Sequence, residues 1–213
     1  MDSDPLSTFA DPACDTSIVS DAMDEHGLDG VVTGVPPAAP GHRSVGRARP
    51  IRFERARGEG TTNFPHAMLD AFGAGELVVI RGVCPHISCW GGQASDLAAN
   101  AGVEGVVIDG GFRDVPEIRE GSFPVFGRRP TPRSGQRRVR VASTDEPITV
   151  DGVRVAPGDV VVADATGVVV VPAEHEERIA EGAADLLDAE SDLAERVAAG
   201  EDLASIREDH EQF

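Results

Sequence analysis

With 213 residues, 40% of them hydrophobic, the chain is long enough to bury a sizeable core and suits a single domain, 1–213. Its 37 acidic against 19 basic side chains leave a net charge of -18, which repels phosphate backbones and excludes a nucleic-acid partner. All the basic residues are arginine; abundant Asp and Glu without Lys is the surface chemistry of a salt-loving organism, because dense carboxylates stay hydrated where salt screens charge.

Cys14, Cys84 and Cys89 form an odd set, a poor disulfide framework, and point to free thiols in a reducing cytoplasm. The start, "MDSDPLSTFADPACD", has early acids and no apolar run, so residues 1–14 are expected to be loose and neither leader nor membrane span. "DTSIVSDAMDEHGLDG" then places Ile18, Val19, Ala22 and Met23 on one helical face, with Gly27 as its stop. The Pro-rich "VPPAAPGH" forces extended chain and "SVGRARPIRFERA" reads as a strand. "NFPHAMLDAFGAG" predicts a short helix, "ELVVIRGV" a buried strand, "WGGQASDLAANAG" a helix, and "VEGVVIDG" another strand. Strand, helix and strand within about thirty residues make one right-handed crossover unit, so the middle of the chain is α/β.

Beyond Asp114 the pattern shortens to β pieces such as "FPVFG", "PITVDGVRVAPGD" and "GVVVVP", which predict a small, compact β layer. Residues 174–213 read as a C-terminal helical segment with an apolar face of Ile179, Ala183, Leu186, Leu187 and Val197, to pack on its own domain or clasp a neighbour.

In α/β sheets, ligands collect beyond the carboxyl ends of strands. Two such ends occur in the crossover unit, "RGVCPHISCWGG" and "GGFRD", and both should face one crevice. Gly91 and Gly92 allow a ligand to approach the backbone, and the N–H groups of Gln93 and Ala94 at a helix start attract a carboxylate. Arg113 offers a planar fork for an oxyanion, and Asp114 a hard oxygen ligand for Mg²⁺ or Mn²⁺. The plainer reading is a surface ion pair at a turn made by Gly110 and Gly111.

The longer pattern carries more. Gly92 is followed by 20 residues, then Arg113 and Asp114, two residues and Glu117, with "GVRVAPGDVVVADATGVVVVP" and a helical tail downstream. This closely resembles the RraA-like proteins and the class II pyruvate aldolases acting on 4-hydroxy-4-methyl-2-oxoglutarate and 4-carboxy-4-hydroxy-2-oxoadipate. The resemblance runs from "TSIVSDAMDEHG" to the C-terminal helices. It implies a swivelling β/β/α fold, a homotrimer or hexamer with sites between subunits, and a small oxo-acid substrate. It also implies a divalent metal on Asp114, substrate contacts from Arg113, and a carboxylate held by Gly92, Gln93 and Ala94. Where those aldolases carry an aspartate, this chain has Gly92; Glu117, or Glu190 from a neighbouring subunit, is the candidate replacement. Independently, the enolate of pyruvate needs either a Lys Schiff base or a metal, and a chain without Lys leaves the metal route.

Other signals point elsewhere. Cys84, His86 and Cys89 in "CPHISC" lack a fourth zinc ligand. Trp90 reads as a packing residue at the crevice, Asn63 and His66 as cap and surface residues, and Asp109 as a turn residue or a partner for Arg113. No nucleotide-binding glycine motif is present. The leading expectation is a metal-dependent lyase for 4-hydroxy-2-oxo acids or oxaloacetate; the alternative is a non-catalytic regulator, as RraA restrains an RNA-degrading endonuclease.

Overall fold

The computed structural model describes residues 4–56 and 72–202. The chain begins with α1 (Pro5–Ala10), α2 (Thr16–Asp24), β1 (Val31–Val32) and β2 (Ser44–Arg55). The middle holds β3 (Glu76–Arg81), β4 (Ser88–Trp90), α3 (Gly92–Asn100), β5 (Gly105–Phe112), α4 (Val115–Glu120) and β6 (Val125–Pro130). β7 (Val139–Thr144), β8 (Ile148–Val150), β9 (Val153–Val155), β10 (Val160–Ala163) and β11 (Val168–Val171) follow, and a short turn leads into α5 (Glu176–Ala198).

Nine strands form one mixed sheet in the order β1-β11-β10-β2-β3-β5-β4, with β6 against β5 and β7 against β2. β2, β3 and β5 run parallel, as the crossover unit demands. β3 is apolar almost throughout because the sheet is covered on both faces. Side chains alternate across a strand, so Val78 and Ile80 join α3 on one face while Leu77 and Val79 meet the β8–β9 hairpin on the other. The same alternation splits β10 and β11: Val160, Val162, Val169 and Val171 pack on α1, α2 and α5, and Val161, Ala163, Val168 and Val170 face the hairpin. Hairpin, sheet and helices stack as the β/β/α order that the resemblance implied, in a single domain.

Two local details position the site. β2 changes partner along one edge, from β10 at Ser44–Arg47 to β7 at Ile51–Arg55. Pro50 falls in the gap between them, where its missing N–H costs no ladder bond. This switch carries Phe53 and the segment before β7 to the carboxyl end of β4 and β5.

Several expectations change. Residues 4–14 are ordered rather than loose: Asp4 caps α1 through the Leu6 N–H (3.1 Å), Pro5 opens the helix, and Phe9 and Cys14 are fully buried. Arg43 fixes this segment by donating to the carbonyl oxygens of Phe9 (2.9 Å), Asp11 (2.6 Å) and Cys14 (3.1 Å). The β pieces after Asp114 divide between two sheets: β8 and β9 form a two-stranded layer, and the others extend the main sheet. Residues 63–71 of the helix expected in "NFPHAMLDAFGAG", Asn63 and His66 among them, and the chain beyond residue 202 lie outside the described residues.

Candidate functional site

β5 does not end at Asp109. It runs through Gly110 and Gly111 to Phe112, so these glycines belong to a strand and not to a turn. A Cβ on Gly111 would stand 2.8 Å from the carbonyl oxygens of Pro85 and Ile87, and one on Gly110 would be 3.3 Å from the Gly82 Cα. Glycine is required because the segment between β3 and β4 crosses the strand at that point. Asp109 therefore lies inside β5 and pairs with Arg128 on β6, which also approaches Asp151 (3.7 Å). It neither orients Arg113 nor faces the crevice.

The strand delivers Arg113 and Asp114 just past its end. The Arg113 N–H bonds the Trp90 carbonyl (3.1 Å), which ties the tip of β5 to that of β4. Asp114 then takes the left-handed conformation, φ 61° and ψ 40°, at the N-cap of α4. For a residue with a Cβ this costs about 1–3 kcal/mol, a strain that clusters at functional sites. The carboxylate does not cap its own helix. It reaches across to the start of α3, where Oδ2 accepts the Gly92 N–H (3.2 Å) and meets Arg113 Nε (3.2 Å). No further partner of Asp114 is found among the described residues, so Oδ1 is available to a ligand. The Arg113–Asp114 pair is partly exposed and opens on a cleft.

Glu117 and Gly92 meet. A Cβ built on Gly92 would overlap a carboxylate oxygen of Glu117 and stand 2.9 Å from its Cβ. The side chain of Glu117 thus fills the volume that an aspartate at position 92 would occupy. Gly91 is constrained likewise, since its Cβ would overlap Asp114 Oδ2 and lie 3.2 Å from Arg113 Cγ. Two carboxylates and one guanidinium converge on the first turn of α3, whose N–H groups at Gln93 and Ala94 have no carbonyl partner within the helix. The partial positive charge of that turn favours this gathering of acids.

The cleft floor is Cys89, Trp90, Gly91 and Ala94, with Arg113 and Asp114 along one wall. Trp90 is buried, stacks on Phe123 at 6.1 Å and donates Nε1–H to Ser95 Oγ (2.9 Å), so it both packs and lines the site. Burial pushes the Cys89 thiol up to about 12, so it stays protonated and is no nucleophile. Among the described residues no three His, Cys, Asp or Glu side chains gather as a metal-binding group, those of "CPHISC" included.

The opposite wall was not read from the sequence. It comprises Phe53 at the end of β2 and Ser134, Gly135, Gln136 and Val139 before and within β7. The Ser88 N–H bonds the Arg133 carbonyl (2.9 Å), and a Cβ on Gly135 would overlap the Ser88 oxygen, so this wall is laid directly on β4. The only hint in the sequence was the glycine in "RSGQRR". Glu190 lies on the exposed side of α5, which packs on α1 and α2, and does not line the cleft of its own chain. No helix among the described residues is long and apolar enough to cross a membrane.

Comparison with known proteins fits this geometry. The RraA-like family, described as Aldolase/RraA, matches residues 16–170. DlpA of Legionella pneumophila is 29% identical over 201 residues, 92% of this chain but 32% of its own length, so the chain spans about a third of that relative. A Halalkalibacterium halodurans protein named "Putative 4-hydroxy-4-methyl-2-oxoglutarate aldolase" is 31% identical over 77% of this chain and 75% of its own. The crystal structure of Streptomyces coelicolor RraAS2, described as an unusual member of the RNase ES inhibitor RraA family, superimposes with a TM-score of 0.78. It shares 27% identity and covers 85% of this chain and 93% of its own.

Proposed function

The chain belongs to the RraA-like family, and on that premise we propose that it is a divalent-metal-dependent lyase that cleaves 4-hydroxy-2-oxo acids and decarboxylates oxaloacetate. The observation that carries the reading is Asp114, held in a strained backbone conformation, turned away from its own helix, and left with an open oxygen at the cleft. A structural ion pair needs none of these features.

The donor set fits a hard cation that keeps most of its waters. Asp114 supplies one open carboxylate oxygen, Glu117 is an exposed neighbour, and the cleft leaves room for water; this suits Mg²⁺ or Mn²⁺ and not a closed tetrahedral site. When bound, such a cation would supply the positive charge that draws an electron pair onto the 2-oxo oxygen, the service that a lysine gives in Schiff-base aldolases.

The protein's own groups supply the rest. The Gln93 and Ala94 N–H groups hold the 1-carboxylate of the substrate. Arg113 directs its fork at the 2-oxo oxygen, where negative charge grows as the bond to C3 breaks. For aldol cleavage the carboxylate of Glu117 takes the proton of the 4-hydroxyl; C4 leaves as a carbonyl and the bonding pair passes toward the 2-oxo oxygen. Decarboxylation of oxaloacetate needs no such base.

Pyruvate release from both substrates, with Mg²⁺ and with EDTA, tests the reading. It expects turnover above that of free metal, abolished by chelation; equal turnover with EDTA contradicts it. The likeness to RraAS2 supports a second reading, a non-catalytic regulator of an RNA-degrading enzyme. Absence of turnover on either substrate, with co-elution of a purified endonuclease, would favour that alternative.

A further inference from the structure

The cleft has two unlike ends. Arg113, Asp114 and the first turn of α3 make one end charged, and Arg113 is the only cationic side chain among the described residues that line it. At the other end stand Phe53, Cys89 and Val139, buried members of the apolar cluster that packs against α3. Ser134 and the exposed Gln136 add only neutral groups there. The pairing of β2 with β7 makes this end. Arg52 pairs with Ser143 and Phe53 with Val141, so Ala142 is left over as a bulge. Beyond it Arg55 pairs with Val139, which puts Val139 diagonal to Phe53 on the same face of the sheet. In unbroken register Val139 would stand opposite Ala56 and turn to the other face. Bulges re-aim side chains beside functional sites, and this one brings Val139 to the cleft.

From this geometry we infer that the substrate is a monocarboxylic 4-hydroxy-2-oxo acid whose C4 carries an aliphatic group, seated against Phe53 and Val139. The inference rests on the lyase reading and narrows its substrate class, away from the dicarboxylate in the name of the Halalkalibacterium halodurans relative. The one carboxylate goes to the Gln93 and Ala94 N–H groups. A second one on C4 would lose its water against neutral side chains, with no cation to meet it. An aliphatic group of similar size loses water there at a gain instead. On cleavage the C3–C4 bond breaks, the 4-hydroxyl proton passes to Glu117, and one proton returns to C3 through water, so the products are pyruvate and an aliphatic aldehyde.

The test compares kcat/KM, by pyruvate release with Mg²⁺, for two substrates of similar size, 4-hydroxy-5-methyl-2-oxohexanoate and 4-hydroxy-2-oxoglutarate. The first carries an isopropyl group on C4 where the second carries a carboxylate. Salt is kept high enough to screen the net charge of -18, so that the dianion is not disfavoured by the surface alone. Wild type should favour the isopropyl substrate by at least about tenfold. Val139→Thr keeps the shape and adds a hydroxyl, and should cut that ratio at least about threefold. Val141→Thr makes the same change on the same sheet face, outside the cleft lining, and should leave the ratio as it is. Equal rates on the two substrates, or a preference for 4-hydroxy-2-oxoglutarate, would overturn the inference and leave the lyase reading standing. So would an unchanged ratio in Val139→Thr, an equal drop in Val141→Thr, or pyruvate from oxaloacetate alone. No pyruvate from any of the three would overturn both.

Discussion

Two aspartates at opposite ends of the sheet show what separates a structural carboxylate from one kept for a ligand. Asp164, in the turn between β10 and β11, is buried and fully used. It accepts the Thr16 N–H (2.7 Å) and hydroxyl (2.8 Å) at the start of α2, and the N–H groups of Thr166 (2.8 Å) and Gly167 (3.3 Å). Asp114 also lies beside a helix start, yet it accepts one N–H, shares that same oxygen with Arg113, and keeps the other open to the cleft. The first carboxylate closes a fold. The second is held in place by the fold and left chemically unfinished.

The sharpest way to break this contrast is to truncate both. Asp114→Ala should lower metal-dependent turnover to background and the melting temperature by only about 2–4 °C, since one partly exposed bond is lost and alanine tolerates the left-handed backbone about 1 kcal/mol less well than aspartate. Asp164→Ala should do the reverse. It leaves buried donors unsatisfied at a cost of about 2–4 kcal/mol, which lowers the melting temperature by roughly 5–15 °C for a chain of this size, while the folded fraction keeps its turnover. Rates and melting curves on both variants check this; a large loss of stability in Asp114→Ala would make it structural.

Arg113→Lys sharpens the functional side. An ammonium keeps the charge and loses the fork, so kcat should fall by about a hundredfold, near 3 kcal/mol of transition-state stabilisation. Next in size is the exchange of positions at the start of α3. Gly92→Asp places a second carboxylate where Glu117 already stands and should cost about tenfold in turnover. The double variant Gly92→Asp/Glu117→Gly should recover most of it, and failure to recover would show that Glu117 does not occupy that role.

The smallest effect concerns pH. Burial pushes the Asp164 carboxyl up, but the bonds from Thr16, Thr166 and Gly167 outweigh it and hold the group below its ordinary value. A depressed folded-state value means that its stabilisation is present above the unfolded value, about 3.9, and disappears as pH falls through the folded one. Thr16→Val should therefore flatten the loss of stability below about pH 4. An unchanged acid limb would remove Asp164 from that account.

How much of this was legible in the sequence follows the same division. The crossover unit could be read because β3, α3 and β5 carry strong local periodicity, and Arg113, Asp114 and Glu117 because they cluster within five positions. The far wall could not. Phe53 and Ser134–Gln136 reach the cleft only through the change of partner along β2 and the long-range pairing with β7, for which no local pattern exists. Asp109 misled because its place in β5 depends on the register with Arg81 of β3 and on the ion pair with Arg128, and Gly110 and Gly111 looked like a turn when the crossing segment at Gly82–Ile87 was the reason for them. The order of residues 4–14 depends on Arg43, remote in sequence, gathering their carbonyl groups.

The claim that Asp114 is kept open for a cation is tested most directly by titrating Mn²⁺ into wild type and Asp114→Asn, with and without oxalate, and following free Mn²⁺ by electron paramagnetic resonance. One site per chain on wild type, tightened by oxalate and lost in Asp114→Asn with an unchanged melting temperature, is the predicted result. Equal Mn²⁺ binding by the two proteins would contradict it.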